Sequence, residues 1–123
     1  MRKSILVFDE DPAILIAFKK VLQKENYGII TCSNANKVLD LIKKKDPFLV
    51  ILNVKQHDSA DLDLLIRLKK LFPRLPVLFM TAFTNIFNEK EAFELGADDY
   101  LKKPFEIHDM LAKVRRYSDQ LVK

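Results

Sequence analysis

Apolar residues gather in five short runs at regular intervals: Ile5 to Phe8, Ile29 to Cys32, Phe48 to Leu52, Val77 to Met80, and the pair Tyr100-Leu101. Runs of this length, apolar almost throughout instead of alternating, predict strands covered on both faces. Between them the apolar positions take helical spacing. Ile14, Phe18, Val21 and Leu22 mark a first helix, Ala35, Val38, Leu39 and Ile42 a second, and Leu65, Leu68 and Phe72 a third. A weaker pattern around Ile86, Phe93 and Leu95 gives a fourth, and Ile107, Leu111, Val114 and Leu121 give a fifth. Repeated strand–helix units with right-handed crossovers predict an α/β fold, a doubly wound five-stranded parallel sheet. The last strand is short and runs into Lys102-Lys103, as an edge strand does.

Punctuation agrees. Asp11 before Pro12 is an N-cap and first-turn pair, Gly96 follows Leu95 where a helix end needs a left-handed residue, and Asn26 serves the same purpose after the first helix. Lys43-Lys44-Lys45 closes the second helix, where cations suit the negative end of the helix dipole.

The chain has 123 residues, 49% hydrophobic and 31% charged, which fits one globular domain spanning 1–123 and leaves no room for a second. Its 21 Lys and Arg against 17 Asp and Glu give a formal charge of +4. Most of the cations sit singly or in pairs on helix faces that look to solvent, so no direct nucleic-acid binding is expected. The one cysteine, Cys32, falls within an apolar strand and reads as a buried thiol. No apolar run approaches the length of about 18 residues that a membrane span needs, and a cytoplasmic protein is expected.

Five strands favour the order 2-1-3-4-5, on the precedent of known doubly wound sheets and not from the residues themselves. In such sheets ligands bind at the carboxyl ends of the strands, beside the switch point between strands 1 and 3. There the sequence offers Asp9, Glu10 and Asp11 after strand 1, Asn53 after strand 3, Thr81 and Ala82 after strand 4, and Lys103 and Pro104 after strand 5. Carboxylate oxygens suit a hard divalent cation, and an ammonium with a hydroxyl suits a tetrahedral anion. The set is that of phosphoryl transfer with a missing piece.

Four segments carry a resemblance: Ile5-Leu6-Val7-Phe8-Asp9-Glu10-Asp11-Pro12, the third strand down to Asn53, Met80-Thr81-Ala82-Phe83, and Leu95-Gly96-Ala97-Asp98-Asp99-Tyr100-Leu101-Lys102-Lys103-Pro104-Phe105. Together they resemble, over nearly the whole chain, the receiver domain of two-component response regulators, a flavodoxin-like fold. The resemblance implies that Asp9 and Glu10 hold Mg²⁺ with the backbone carbonyl of Lys55, that Thr81 and Lys103 bind a phosphoryl group, and that Tyr100 is a switch aromatic. It also implies a cis bond between Lys103 and Pro104, and an output face formed by helix 4, strand 5 and helix 5. That face would meet a histidine kinase or an effector domain, or a second copy in a homodimer.

The phosphoacceptor aspartate of the family is here Asn53. The departures extend along the following loop, where Gln56-His57 replaces the usual Met-Pro and Ala60-Asp61 the usual Asp-Gly. An amide oxygen is a poor nucleophile and carries no charge, so the expectation is a receiver not phosphorylated at Asn53, with a weakened Mg²⁺ site and no catalysis of its own. Asn53 also relieves crowding, since carboxylates about 6 Å apart repel by roughly 3 kcal/mol at an effective dielectric near 20. Asp58 and Ser59 sit in a loop without the in-line geometry of an acceptor. His57 and His108 read as surface histidines. The alternative is a phosphohydrolase of the haloacid-dehalogenase-like type using Asp9 and Asp11, with Thr81 and the Asp98-Asp99 pair as its further motifs. Against it, Ala13 stands where that family has Thr or Val.

Overall fold

Strand and helix alternate along the chain: β1 (Ser4–Phe8), α1 (Pro12–Lys24), β2 (Gly28–Cys32), α2 (Val38–Lys45), β3 (Leu49–Asn53), α3 (Ser59–Leu71), β4 (Val77–Thr81), α4 (Glu89–Glu94), β5 (Asp99–Lys102) and α5 (Ile107–Gln120). This computed structural model describes residues 3–54, 59–81 and 89–121, with residues 59–61 and 89 by their helical backbone alone. The five strands form one parallel sheet in the order β2-β1-β3-β4-β5. The fold class is as the residues predict, and the strand order is the one expected on precedent.

Side-chain alternation along each strand divides the core into two layers. Leu6, Phe8, Val50, Leu52, Val77 and Phe79 leave the sheet on one side and pack with residues of α2, α3 and α4, among them Val38, Ile42, Leu65, Leu68 and Ala92. Ile5, Val7, Leu49, Ile51, Leu78 and Met80 leave on the other, against Leu15, Phe18 and Leu22 of α1 and Met110, Val114 and Tyr117 of α5. β3 and β4 are buried at every position, the signature of a strand covered on both faces. Full burial of each large aliphatic side chain contributes about 1.5–3 kcal/mol.

The helix ends follow their local chemistry. Asp11 is extended at φ −88° and its carboxylate accepts the Ala13 N–H at 2.9 Å, with Pro12 opening the helix. Asn26 at φ 68° and Gly96 at φ 108° turn the chain out of α1 and α4. Asp46, at φ 50°, does this after α2, a role the sequence analysis did not assign. Lys43, Lys44 and Lys45 occupy the last turn of α2.

Several boundaries and one packed face differ from expectation, and β1 and β2 each begin one residue earlier, at Ser4 and Gly28. The second helix is preceded by a 3-10 turn at Ala35–Lys37, capped by the Asn34 side chain, and becomes α-helical only at Val38. β3 and β4 each run one residue further, to Asn53 and Thr81, because the sheet ladder continues past the last apolar residue. β5 begins at Asp99, a buried acid. In α5 the packed stripe is Met110, Val114, Tyr117 and Ser118, whereas Ile107 and Leu121 are 56% and 51% exposed. Ile86, offered for the fourth helix, lies outside the described residues, among which α4 is Glu89–Glu94. Among the described residues no helix is long and apolar enough to cross a membrane.

Candidate functional site

The ladder carries the chain to the site. Beyond β1, the Asp9 N–H donates to the Cys32 carbonyl at 3.1 Å, and beyond β5 the Lys103 N–H donates to the Thr81 carbonyl at 2.9 Å. Strand alternation therefore extends one residue past each assigned end. Asp9 follows Val7, Asn53 follows Ile51 and Lys103 follows Leu101, all members of the layer under α1 and α5. Three side chains from three strands thus emerge on one face at the carboxyl edge of the sheet.

Two of them touch. The Lys103 ammonium donates to Asn53 Oδ1 at 2.7 Å, a charge-assisted hydrogen bond between residues fifty positions apart. Asp9 is 3% exposed and Asn53 is 6% exposed. Asp9 Oδ1 accepts the Asp11 N–H at 2.9 Å, while its Oδ2 is buried without a hydrogen-bond partner among the described residues. Thr81 Oγ1 is the other buried side-chain atom without a partner among the described residues. Thr81 follows Phe79 in alternation and belongs to the opposite layer, at the same edge. Burying such groups unpaired costs about 1–3 kcal/mol each, which marks this edge as built for something other than stability. Glu10 is exposed beside Asp9.

These observations test the fit of Mg²⁺. The ion takes oxygen ligands and is commonly held by one or two carboxylates. Asp9, with an orphaned carboxylate oxygen, and the adjacent Glu10 meet that need. Asn53 meets it less well, because its one side-chain oxygen already receives the Lys103 ammonium. Lys55, Gln56, His57 and Asp58 lie outside the described residues, as do Ala82 and Phe83.

Tyr100 lies in β5 at the sheet edge, half-buried. Phe93 of α4 meets its ring edge-on at 5.8 Å between centroids, and the Lys113 ammonium of α5 stands 5.3 Å from the ring centre. The face expected to carry output is therefore stitched together around this ring. The Lys103–Pro104 bond is cis, as the resemblance implied. Sequence reasoning missed an apolar groove of about 380 Å³ beside Lys103, between α1 and the β5–α5 connection, bordered by Ile14, Phe18, Val21, Phe105 and Met110. The signal was present in Phe105, a large apolar residue just after the strand.

The phosphohydrolase alternative fails on geometry. Asp11 spends its carboxylate on the α1 cap. Asp98 and Asp99 lie at the start of β5, the opposite edge of the sheet, and both are engaged. Asp98 Oδ2 accepts the Val77 N–H at 2.8 Å and the Lys69 ammonium at 3.0 Å. Asp99 pairs with Lys113 at 2.9 Å and Arg116 at 3.2 Å.

Cys32 is buried, and its thiol donates to the Asn34 carbonyl at 3.1 Å. Burial pushes that thiol up from its ordinary value, away from reactivity. His108 is exposed between Glu106 and Asp109, a surface residue as expected.

Comparison with known proteins agrees with the geometry. The family model described as the response regulator receiver domain matches residues 5–115. Sporulation initiation phosphotransferase F of Bacillus subtilis is 32% identical over 117 residues, which cover 95% of this chain and 94% of that protein. The DNA-binding transcriptional regulator NtrC of Rhizobium meliloti is 37% identical over 113 residues, but these span only 23% of its length. Among solved structures, a response regulator receiver domain protein from Methanospirillum hungatei superposes with a TM-score of 0.86 at 29% identity, covering 98% of this chain and 96% of that one. The pocket of acid, amide, hydroxyl and ammonium at the sheet edge, and the match over most of the chain, have one reading: the chain belongs to the response regulator receiver domain family of two-component signalling.

Proposed function

We propose that this receiver domain signals through protein contact without phosphorylation of residue 53 in its amide form. The observation that carries this is the Asn53–Lys103 hydrogen bond at 2.7 Å. It supports reading Asn53 as the residue at the acceptor position, because the ammonium that would bind a phosphoryl group already lies on it. Thr81 would be the second phosphoryl-binding group, and Tyr100 the switch. Asp9, Glu10 and the Lys55 carbonyl would hold Mg²⁺, weakened by the loss of a carboxylate at 53; when bound, the ion supplies charge neutralisation to a phosphoryl group. The chain catalyses no turnover of its own. Its partners are a histidine kinase or an effector domain in the cytoplasm, met through α4, β5 and α5 around Tyr100, with a homodimer through the same face as a further form.

The test is intact mass after incubation with acetyl phosphate and Mg²⁺, on fresh protein whose residue 53 is verified as the amide, beside Asn53→Asp. One phosphate on the variant and none on the native chain is the expected outcome. Phosphate on the verified amide would place the acceptor elsewhere and end this reading.

A further inference from the structure

Asn53 is held as an amide about to be hydrolysed would be held. Its carbonyl oxygen receives an ammonium at 2.7 Å, which withdraws electron density from Cγ and stands ready to stabilise an oxyanion. On the neighbouring strand, Asp9 leaves the sheet on the same face, one residue past the Phe8–Leu52 pair, and therefore level with Asn53. Its Oδ2 is a buried carboxylate oxygen with no hydrogen-bond partner among the described residues. An electrophile polarised from one side and an unengaged base beside it are the two requirements of amide hydrolysis.

The common route of asparagine loss is closed here. It requires the following backbone nitrogen to attack Cγ, but the Val54 N–H is committed to the Met80 carbonyl at 3.0 Å, and Val54 is itself buried and β-branched. Any reaction at Asn53 in the folded protein must be direct attack by water.

We propose that Asn53 is a self-modification site, converted in place to aspartate by water with Lys103 as oxyanion donor and Asp9 as base. Water adds to Cγ and gives one proton to Asp9 Oδ2; the amide oxygen becomes an alkoxide held by Lys103 Nζ. The C–N bond then breaks, the nitrogen takes the proton back from Asp9, and ammonia leaves. Side-chain amide and water give carboxylate and ammonium, with no change of oxidation state. The product carries an acid at the acceptor position, so an unphosphorylatable receiver would mature into a phosphorylatable one. This rests on the pocket assignment of the proposed function.

The experiment is time-resolved peptide mass analysis of the full chain kept folded at neutral pH in heavy-oxygen water with chelator. Expected is aspartate at residue 53 with one heavy oxygen and without isoaspartate, accumulating faster than at the exposed Asn34 and Asn36 of the same sample. Lys103→Met and Asp9→Asn, checked for native melting transitions, should each slow conversion by about 100-fold, the scale of one oxyanion donor or one general base. Retention of the amide while Asn34 and Asn36 convert would overturn the proposal, as would an unchanged rate in either folded variant. Isoaspartate at 53 would also overturn it, since that product comes from backbone attack. If Asn53→Asp accepts phosphate while native Asn53 never converts, the receiver reading stands and only this inference falls.

Discussion

Asp98 shows how one acid can be structural in a sequence full of acids that invite a catalytic reading. It ties the end of α3 to the start of two strands, accepting Val77 N–H and Lys69, while its own N–H donates to the Val77 carbonyl at 2.8 Å. Asp98→Ala leaves the buried Val77 N–H without its acceptor, and because the carboxylate is partly exposed, water restores some of the loss. Urea unfolding should show a destabilisation of about 1–2 kcal/mol with an unchanged slope. At residue 53 the structure amends the argument from crowding. An aspartate there repels Asp9, but it also gains an ionised partner in Lys103, whose ammonium already lies 2.7 Å from Oδ1. The clearer expectation is differential: Mg²⁺ raises the melting temperature of Asn53→Asp more than that of the native chain, and equal shifts would contradict a carboxylate role in the site. Asp9, Asn53 and Lys103 were legible as residues ending strands. That Lys103 lands on Asn53, and that Asp9 keeps one oxygen unpaired among the described residues, was not, because such facts depend on side-chain paths that strand pattern does not encode.

Among the elements, those whose ends carry a chemical signal were read well. The α1 cap is one: Asp11→Ala removes the acceptor for Ala13 N–H and should cost about 1 kcal/mol, measurable by urea titration and rescued by Asn or Ser. The α4 end is another. Gly96 sits at φ 108°, and a Cβ there would meet Lys69 Cγ at 3.1 Å, so Gly96→Ala strains the turn and presses on the lysine that holds Asp98. It should destabilise by more than about 1 kcal/mol, where a glycine-to-alanine change at a compatible position would stabilise. α5 was read less well, and for a physical reason. Its packed face includes Ser118, which shares a 3.0 Å hydrogen bond with the buried Tyr27 hydroxyl, and excludes the apolar Ile107 and Leu121. A polar residue satisfied across ninety positions is invisible to hydrophobic spacing, as is Asp99, which is buried in β5 only because Lys113 and Arg116 of α5 reach it.

For the whole molecule, the two-layer core was the part most open to sequence, because five uniformly apolar runs admit few arrangements other than a sheet covered on both faces. One consequence of that burial is a stability that falls on the alkaline side. The Cys32 thiol, within the layer under α2, is pushed up from its ordinary value of 9.0, chiefly by desolvation, against smaller opposing effects of the Asn34 hydrogen bond and Lys37. The Tyr117 hydroxyl, in the opposite layer, is pushed up from 10.0 by desolvation and then by the charges of Asp99 and Asp98. Both groups are neutral when protonated, and folding favours that form. Below 9.0 the thiol is protonated whether the chain is folded or not, so its full contribution is present there. Above 9.0 the unfolded chain loses the thiol proton while the native chain keeps it, so stability declines as pH rises toward the folded value; Tyr117 adds to the decline from 10.0 upward. Melting temperature followed from neutral pH upward should therefore drop first through the thiol range. Cys32→Ala lowers the whole curve by opening a small gap in the core, but it should flatten that first segment and leave the later, tyrosine-linked fall in place. Parallel curves for the two proteins would mean that the thiol ionises alike in the folded and unfolded chains, and that the β2 edge admits water to the core layer over α2.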